Sequence, residues 1–134
     1  MSHLTDPFDL LFKHTMSRNV AVRDFLMSYG LEHVYQRIDT SSIQPTHKSY
    51  MPDELKGRFS EVVHRCTLDG RDAFLFFLLS LQEESRFILP LHIIQYKVAL
   101  LEDYLQDKPE GTKWPMLIGG CYCHGGDSPL VLTQ

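Results

Sequence analysis

Apolar residues along this chain recur first at helical spacing, then in strand-like runs, then at helical spacing again. Asp6 reads as an N-cap, Pro7 as a first helical residue and Asp9 as a first-turn acid. The spacing therefore predicts a short helix over 7–16 that buries Phe8, Leu11 and Phe12. Asn19 stands where a second helix would be capped. In that helix Val22, Phe25, Leu26 and Tyr29 fall at i, i+3, i+4 and i+7, and Gly30 ends it. Residues 39–52 read as loop with a weak strand near Ile43, which Pro45 confines to a sheet edge, and Pro52 to Leu55 can start a helical turn.

The pattern changes at Ser60-Glu61, which opens the apolar run Val62 to Cys66. Asp69-Gly70 is a hairpin turn signal, and Ala73 to Leu79 follows without polar alternation. A hairpin pairing 61–67 with 73–80 is expected, its second strand central and buried on both faces. From about Ile88 to Gln106 the helical period returns with two apolar stripes. One is Leu91, Ile94, Val98, Leu101 and Leu105; the other is Leu89, Ile93, Tyr96, Leu100 and Tyr104. His92, Gln95, Glu102 and Gln106 form the polar face. Pro115 to Cys123 reads as a last strand, weakened by Gly119-Gly120, and the tail from about 126 as loose. This order implies an α/β fold, one domain over residues 1–134, with a mixed sheet flanked by helices.

Composition narrows the picture. The hydrophobic fraction of 43% supports a real core in a 134-residue chain. The formal charge of −4 argues against tight non-specific DNA binding, which a basic surface would favour. No apolar stretch reaches 18 residues, the N-terminus lacks a signal pattern, and three cysteines make an odd count. A reducing cytoplasm is the expected location.

Several spaced motifs then carry a resemblance. They are Asp9-Leu10-Leu11-Phe12-Lys13, Val22-Arg23-Asp24-Phe25-Leu26 and Ile38-Asp39-Thr40-Ser41-Ser42-Ile43 near the start. Ser60-Glu61-Val62, Leu79-Ser80-Leu81-Gln82-Glu83 and Pro90 to Tyr96 follow, then Pro115 to Ile118 and Tyr122 to Gly125. The ordered set resembles the Rpn-type recombination-promoting nucleases, or YhgA-like transposases, of the PD-(D/E)XK nuclease class. The resemblance implies a PD-(D/E)XK nuclease-like core, DNA as substrate, and Mg2+ held by carboxylates at the positions of Glu61 and Ser80, with Gln82 beside them. The chain departs from that pattern. Glu61 stands for Asp, Ser80 for the catalytic Glu, His92 for a helix Arg and Cys123 for a strand-end Tyr. It also stops soon after His124-Gly125, where family members commonly continue, so a truncated or decaying copy is expected.

Metal-dependent phosphodiester hydrolysis needs a cation to activate water and neutralise the phosphate, and magnesium usually takes more than one protein oxygen. Ser80 and Gln82, two apart, are expected on one side of the strand. A serine hydroxyl is a poor magnesium ligand, and glutamine adds no charge. Glu61 is either a retained ligand or a solvated strand-end acid. Glu83 has the wrong parity, whereas Glu84 has the right one and is a candidate second metal ligand. Asp39 or Glu84 beside Glu61 would favour an enzyme; Glu61 facing Ser80 alone would favour a non-catalytic, DNA-associated or interaction module keeping the fold. Cys121, Cys123 and His124 invite a zinc reading but read better as small core thiols. Lys13 and Arg23 could bind phosphate or simply be solvated. An impaired or inactive endonuclease, with weak DNA affinity, is the expectation.

Overall fold

The computed structural model describes residues 7–83 and 85–122 and the backbone of 130–133. Three helices come first: α1 (Pro7–Met16), α2 (Asn19–Ser28) and α3 (Glu32–Arg37). A three-residue edge strand, β1 (Gln44–Thr46), precedes the hairpin of β2 (Phe59–Leu68) and β3 (Arg71–Ser80). Helix α4 (Leu89–Leu105) then leads to β4 (Met116–Tyr122), and β5 (Leu130–Thr133) closes the described chain. The five strands lie in the order β1-β2-β3-β4-β5. All neighbours are antiparallel except β3 and β4, which run parallel because α4 carries the chain back across the sheet. The α/β class, the mixed sheet with helices on both faces and the nuclease-like core are as the sequence implied.

The hairpin follows from its turn. Asp69 and Gly70 both have positive φ, 54° and 76°, as a two-residue turn between right-twisted strands requires. The register is continuous from Phe59 opposite Ser80 to Leu68 opposite Arg71. Alternation then sorts the side chains. Val62, Cys66, Ala73, Leu75, Phe77 and Ile118 face α1, α2 and α3. Phe59, Val63, Phe74, Phe76, Leu78 and Cys121 face α4. As the central strand, β3 is buried on both faces over Ala73–Leu78, which is why its sequence shows no period of two.

Of the two stripes on α4, the one that meets the sheet is Leu89, Ile93, Tyr96, Leu100 and Tyr104. The other points outward through Leu91, Ile94 and Val98, about half exposed, while Leu105 at its end packs against the core.

Several local expectations need correction. Leu11 is 63% exposed; α1 packs through Phe12 and Met16, and the side chain of Phe8 lies outside the described residues. Asn19 does not cap α2. Arg18 holds the cap position in extended backbone and Asn19 is the first helical residue. The strand near Ile43 begins one residue later, and Ile43 itself is core. Helix α3 and strand β5 add two elements that the hydrophobic pattern does not predict. The tail from about 126 falls in part on residues outside the described ones, while Leu130–Thr133 pair with β4.

Gly30 does end α2. Its φ is 74°, and the Leu31 N–H reaches back to the Leu26 carbonyl at 2.7 Å, as in a glycine-terminated helix.

Candidate active site

Glu61 is the third residue of β2 and sits on the α4 face, opposite Leu78. Strand alternation and the packing of Tyr96 against Phe76, with ring centroids 5.3 Å apart, bring the tyrosine hydroxyl over it. The hydroxyl donates to Glu61 Oε2 at 2.6 Å. The Tyr50 N–H donates to the same oxygen at 2.9 Å, and the Ser49 hydroxyl donates to Oε1 at 2.7 Å. The half-buried carboxylate therefore ties the segment before the hairpin to both sheet and helix. Lys48 adds a second tie, an ion pair with Asp103 of α4 at 2.6 Å. Burial, then the charge of Glu61 and its hydrogen bond, pushes Tyr96 well above the ordinary tyrosine range, so the hydroxyl keeps its proton.

Glu61 lines a cleft of about 470 Å³, together with Lys13, Ser17, His47, Lys48 and Lys56. Each of the three lysines has a carboxylate partner outside the cleft lining: Asp9 at 3.3 Å for Lys13, Asp103 for Lys48, and Asp53 at 2.9 Å for Lys56. The lysines of this wall were only partly legible in sequence. Lys13 sits on a helix with a clear period, whereas Lys48 and Lys56 come in through segments that carry no periodic signal. Arg23 is exposed on α2 and does not line the cleft.

Ser80 lies on the same sheet face as Glu61, at the end of β3 and opposite Phe59. It is buried, and its hydroxyl donates to the Gln82 carbonyl rather than toward Glu61. Strand β3 stops at Ser80, so Gln82 does not share its face. Gln82 lies beyond the strand and is exposed. The expected Ser-x-Gln pair fails because strand parity ends where the strand does. Glu84, Cys123 and His124 lie outside the described residues.

Asp39 is not beside Glu61. Its carboxylate accepts from the Ser41 N–H at 3.1 Å, and its own N–H bonds the Thr67 carbonyl, six residues along β2 and roughly 20 Å away at strand rise. Cys66 and Cys121 are buried thiols on opposite faces of the sheet, which excludes a shared ion. Burial, with Asp72 nearby, pushes the Cys66 thiol up to about 11. His92, where the resemblance implies an arginine, is half-buried against Phe59, with ring centroids 6.1 Å apart.

These groups do not fit a magnesium ion. A carboxylate offers about four lone-pair positions, and three on Glu61 are taken by protein donors. Magnesium wants several oxygens in near-octahedral array. Among the described residues, no three His, Cys, Asp or Glu side chains converge.

Comparison with known proteins agrees with the ordered motifs. The chain is 23% identical over 124 residues to "Recombination-promoting nuclease RpnA" of Escherichia coli strain K12, covering 92% of this chain and 41% of that protein. It is 20% identical over 130 residues to "Recombination-promoting nuclease RpnC" of the same organism, covering 97% and 43%. The chain thus spans less than half the length of the curated relatives it matches. No solved structure matches it. The family model described as "Putative transposase, YhgA-like" matches residues 6–132, and the chain belongs to that family.

Proposed function

We propose that this chain forms one PD-(D/E)XK-like domain that engages the DNA backbone along the Glu61 cleft, with an impaired or inactive phosphodiester-hydrolysing centre. Family membership and the nuclease relatives support DNA as the ligand. The observation that carries the impairment is the carboxylate of Glu61, held by three protein donors while Ser80 turns to Gln82. Lys13, Lys48 and Lys56 are the candidates for phosphate contacts. Their carboxylate partners compete with phosphate, which together with the net charge of −4 keeps affinity weak. Action in the cytoplasm belongs to the same proposal. Among the described residues no helix is long and apolar enough to cross a membrane.

The test is plasmid nicking in magnesium, run beside anisotropy titrations with a labelled duplex. Wild type should bind weakly, with a log–log salt slope no steeper than roughly −3 for three phosphate contacts. It should nick little or not at all. The double change Ser80→Glu with Glu61→Asp puts the family's acids back at both positions and should raise nicking measurably, provided a thermal melt shows it folded. Metal that binds only the folded state should raise its Tm more than that of wild type. Robust wild-type nicking that is abolished by Glu61→Ala and indifferent to Ser80→Ala would overturn the impaired-centre reading.

A further inference from the structure

Helix α4 carries more apolar surface than its place in the fold requires. A helix laid on one face of a sheet buries one stripe and turns polar residues outward. The sheet-facing stripe of α4 is complete, yet its outer face presents Leu91, Ile94, Val98 and Leu101, and the row ends at Leu105, which packs against the core. Leu91, Ile94 and Val98 are 49%, 56% and 48% exposed; Leu101 and Leu105 are half-buried. Their spacing alternates three and four residues without a break, the a/d repeat of a two-stranded coiled coil. Phe87, 88% exposed, lies one heptad before Ile94, just ahead of the helix, and prolongs the row.

We propose that this outer face of α4 is the seam of a homodimer, the second copy laying its own α4 alongside in parallel. An a/d row is self-complementary, which is what a two-fold interface needs. Flanking charge favours the parallel arrangement. Lys97 borders the seam on one side and Glu102 on the other, five positions apart, the offset that brings a lysine of one helix to the glutamate of a parallel partner. Size is adequate as well. Phe87, Leu91, Ile94 and Val98 together expose on the order of 400 Å², the scale at which an apolar patch marks an interaction face. Two such faces with their flanks bury about 1,000 Å², the threshold for a specific interface.

Sedimentation equilibrium of the full chain over 1–200 μM tests it. Wild type should be dimeric in the low micromolar range. Ile94→Glu places a charge on a position already exposed in the monomer, so its circular dichroism should match wild type while its dimer Kd rises at least 100-fold. Lys97→Glu should weaken the dimer, and Lys97→Glu with Glu102→Lys should restore it. A copper-oxidised Val98→Cys chain, compared with wild type so treated, gives a second readout, a new linked dimer expected from a parallel seam. A wild-type chain monomeric at 200 μM, or a dimer indifferent to Ile94→Glu, overturns the proposal. Failure of the charge swap with sensitivity to Ile94→Glu overturns the parallel orientation.

Discussion

At the scale of single residues, Glu61 acts as a tie between three segments, and that makes its removal informative. A carboxylate poised for a metal ion is commonly a burden on the free protein, and its loss is neutral or stabilising. Here Glu61→Ala strands the Tyr96 hydroxyl and the Tyr50 N–H, so it should cost about 2–4 kcal/mol in a metal-free chemical melt. Tyr96→Phe, which removes one charge-assisted bond, should cost about 1.5–3 kcal/mol. An unchanged or raised midpoint in Glu61→Ala would contradict the tie.

His64 gives a second residue-level prediction. It is fully buried in β2, its Nε2 2.6 Å from the Met16 carbonyl at the end of α1 and its Nδ1 without a partner. Burial lowers its pKa from 6.5, outweighing the bond to Met16, which raises it. The unfolded chain then takes up a proton that the folded chain refuses. Stability is fully present above about pH 6.5 and is lost as pH falls toward the folded value. Melts between pH 7.5 and 5.5 should show this slope, and His64→Gln should flatten it. Sequence marked Glu61 by its place at a strand start, but not its donors. Ser49 and Tyr50 come from a loop whose path depends on packing of Tyr50 against Phe74, a contact 24 residues apart that no local pattern encodes.

Among the elements, the hairpin and α4 were legible because each declares itself locally, one by a two-residue turn between apolar runs and the other by a 3.6-residue period. Helix α3 has only six residues, too few to establish a period, and β5 follows residues with no strand pattern. The paired glycines of β4 read in sequence as a weakness, and their structural meaning is different. A Cβ on Gly119 would lie 2.0 Å from the Phe76 carbonyl oxygen and 2.7 Å from its ring, so the close approach of β4 to β3 depends on its absence. Gly119→Ala should therefore cost about 3 kcal/mol or more, at the upper end for overpacked cores because backbone is the obstacle. Urea unfolding measures it. A loss under 1 kcal/mol would mean that the two strands can separate freely.

For the molecule as a whole, the uneven distances over which β3 finds its two neighbours set an order of events in time. Its partner β2 is reached across the two residues Asp69 and Gly70, whereas β4 is reached only after residues 81–115 have been spanned. Closing the longer loop costs roughly 2.5 kcal/mol more in chain entropy. The hairpin should thus be largely formed at the folding barrier, with β4 docking late, on the far side of it. In stopped-flow measurements Val63→Ala, in β2, should chiefly slow folding, whereas Ile118→Ala, in β4, should chiefly hasten unfolding. A chain emerging from the ribosome would then expose an unsatisfied edge of β3 until residue 122 had been made, an interval in which that edge is open to pairing with another chain.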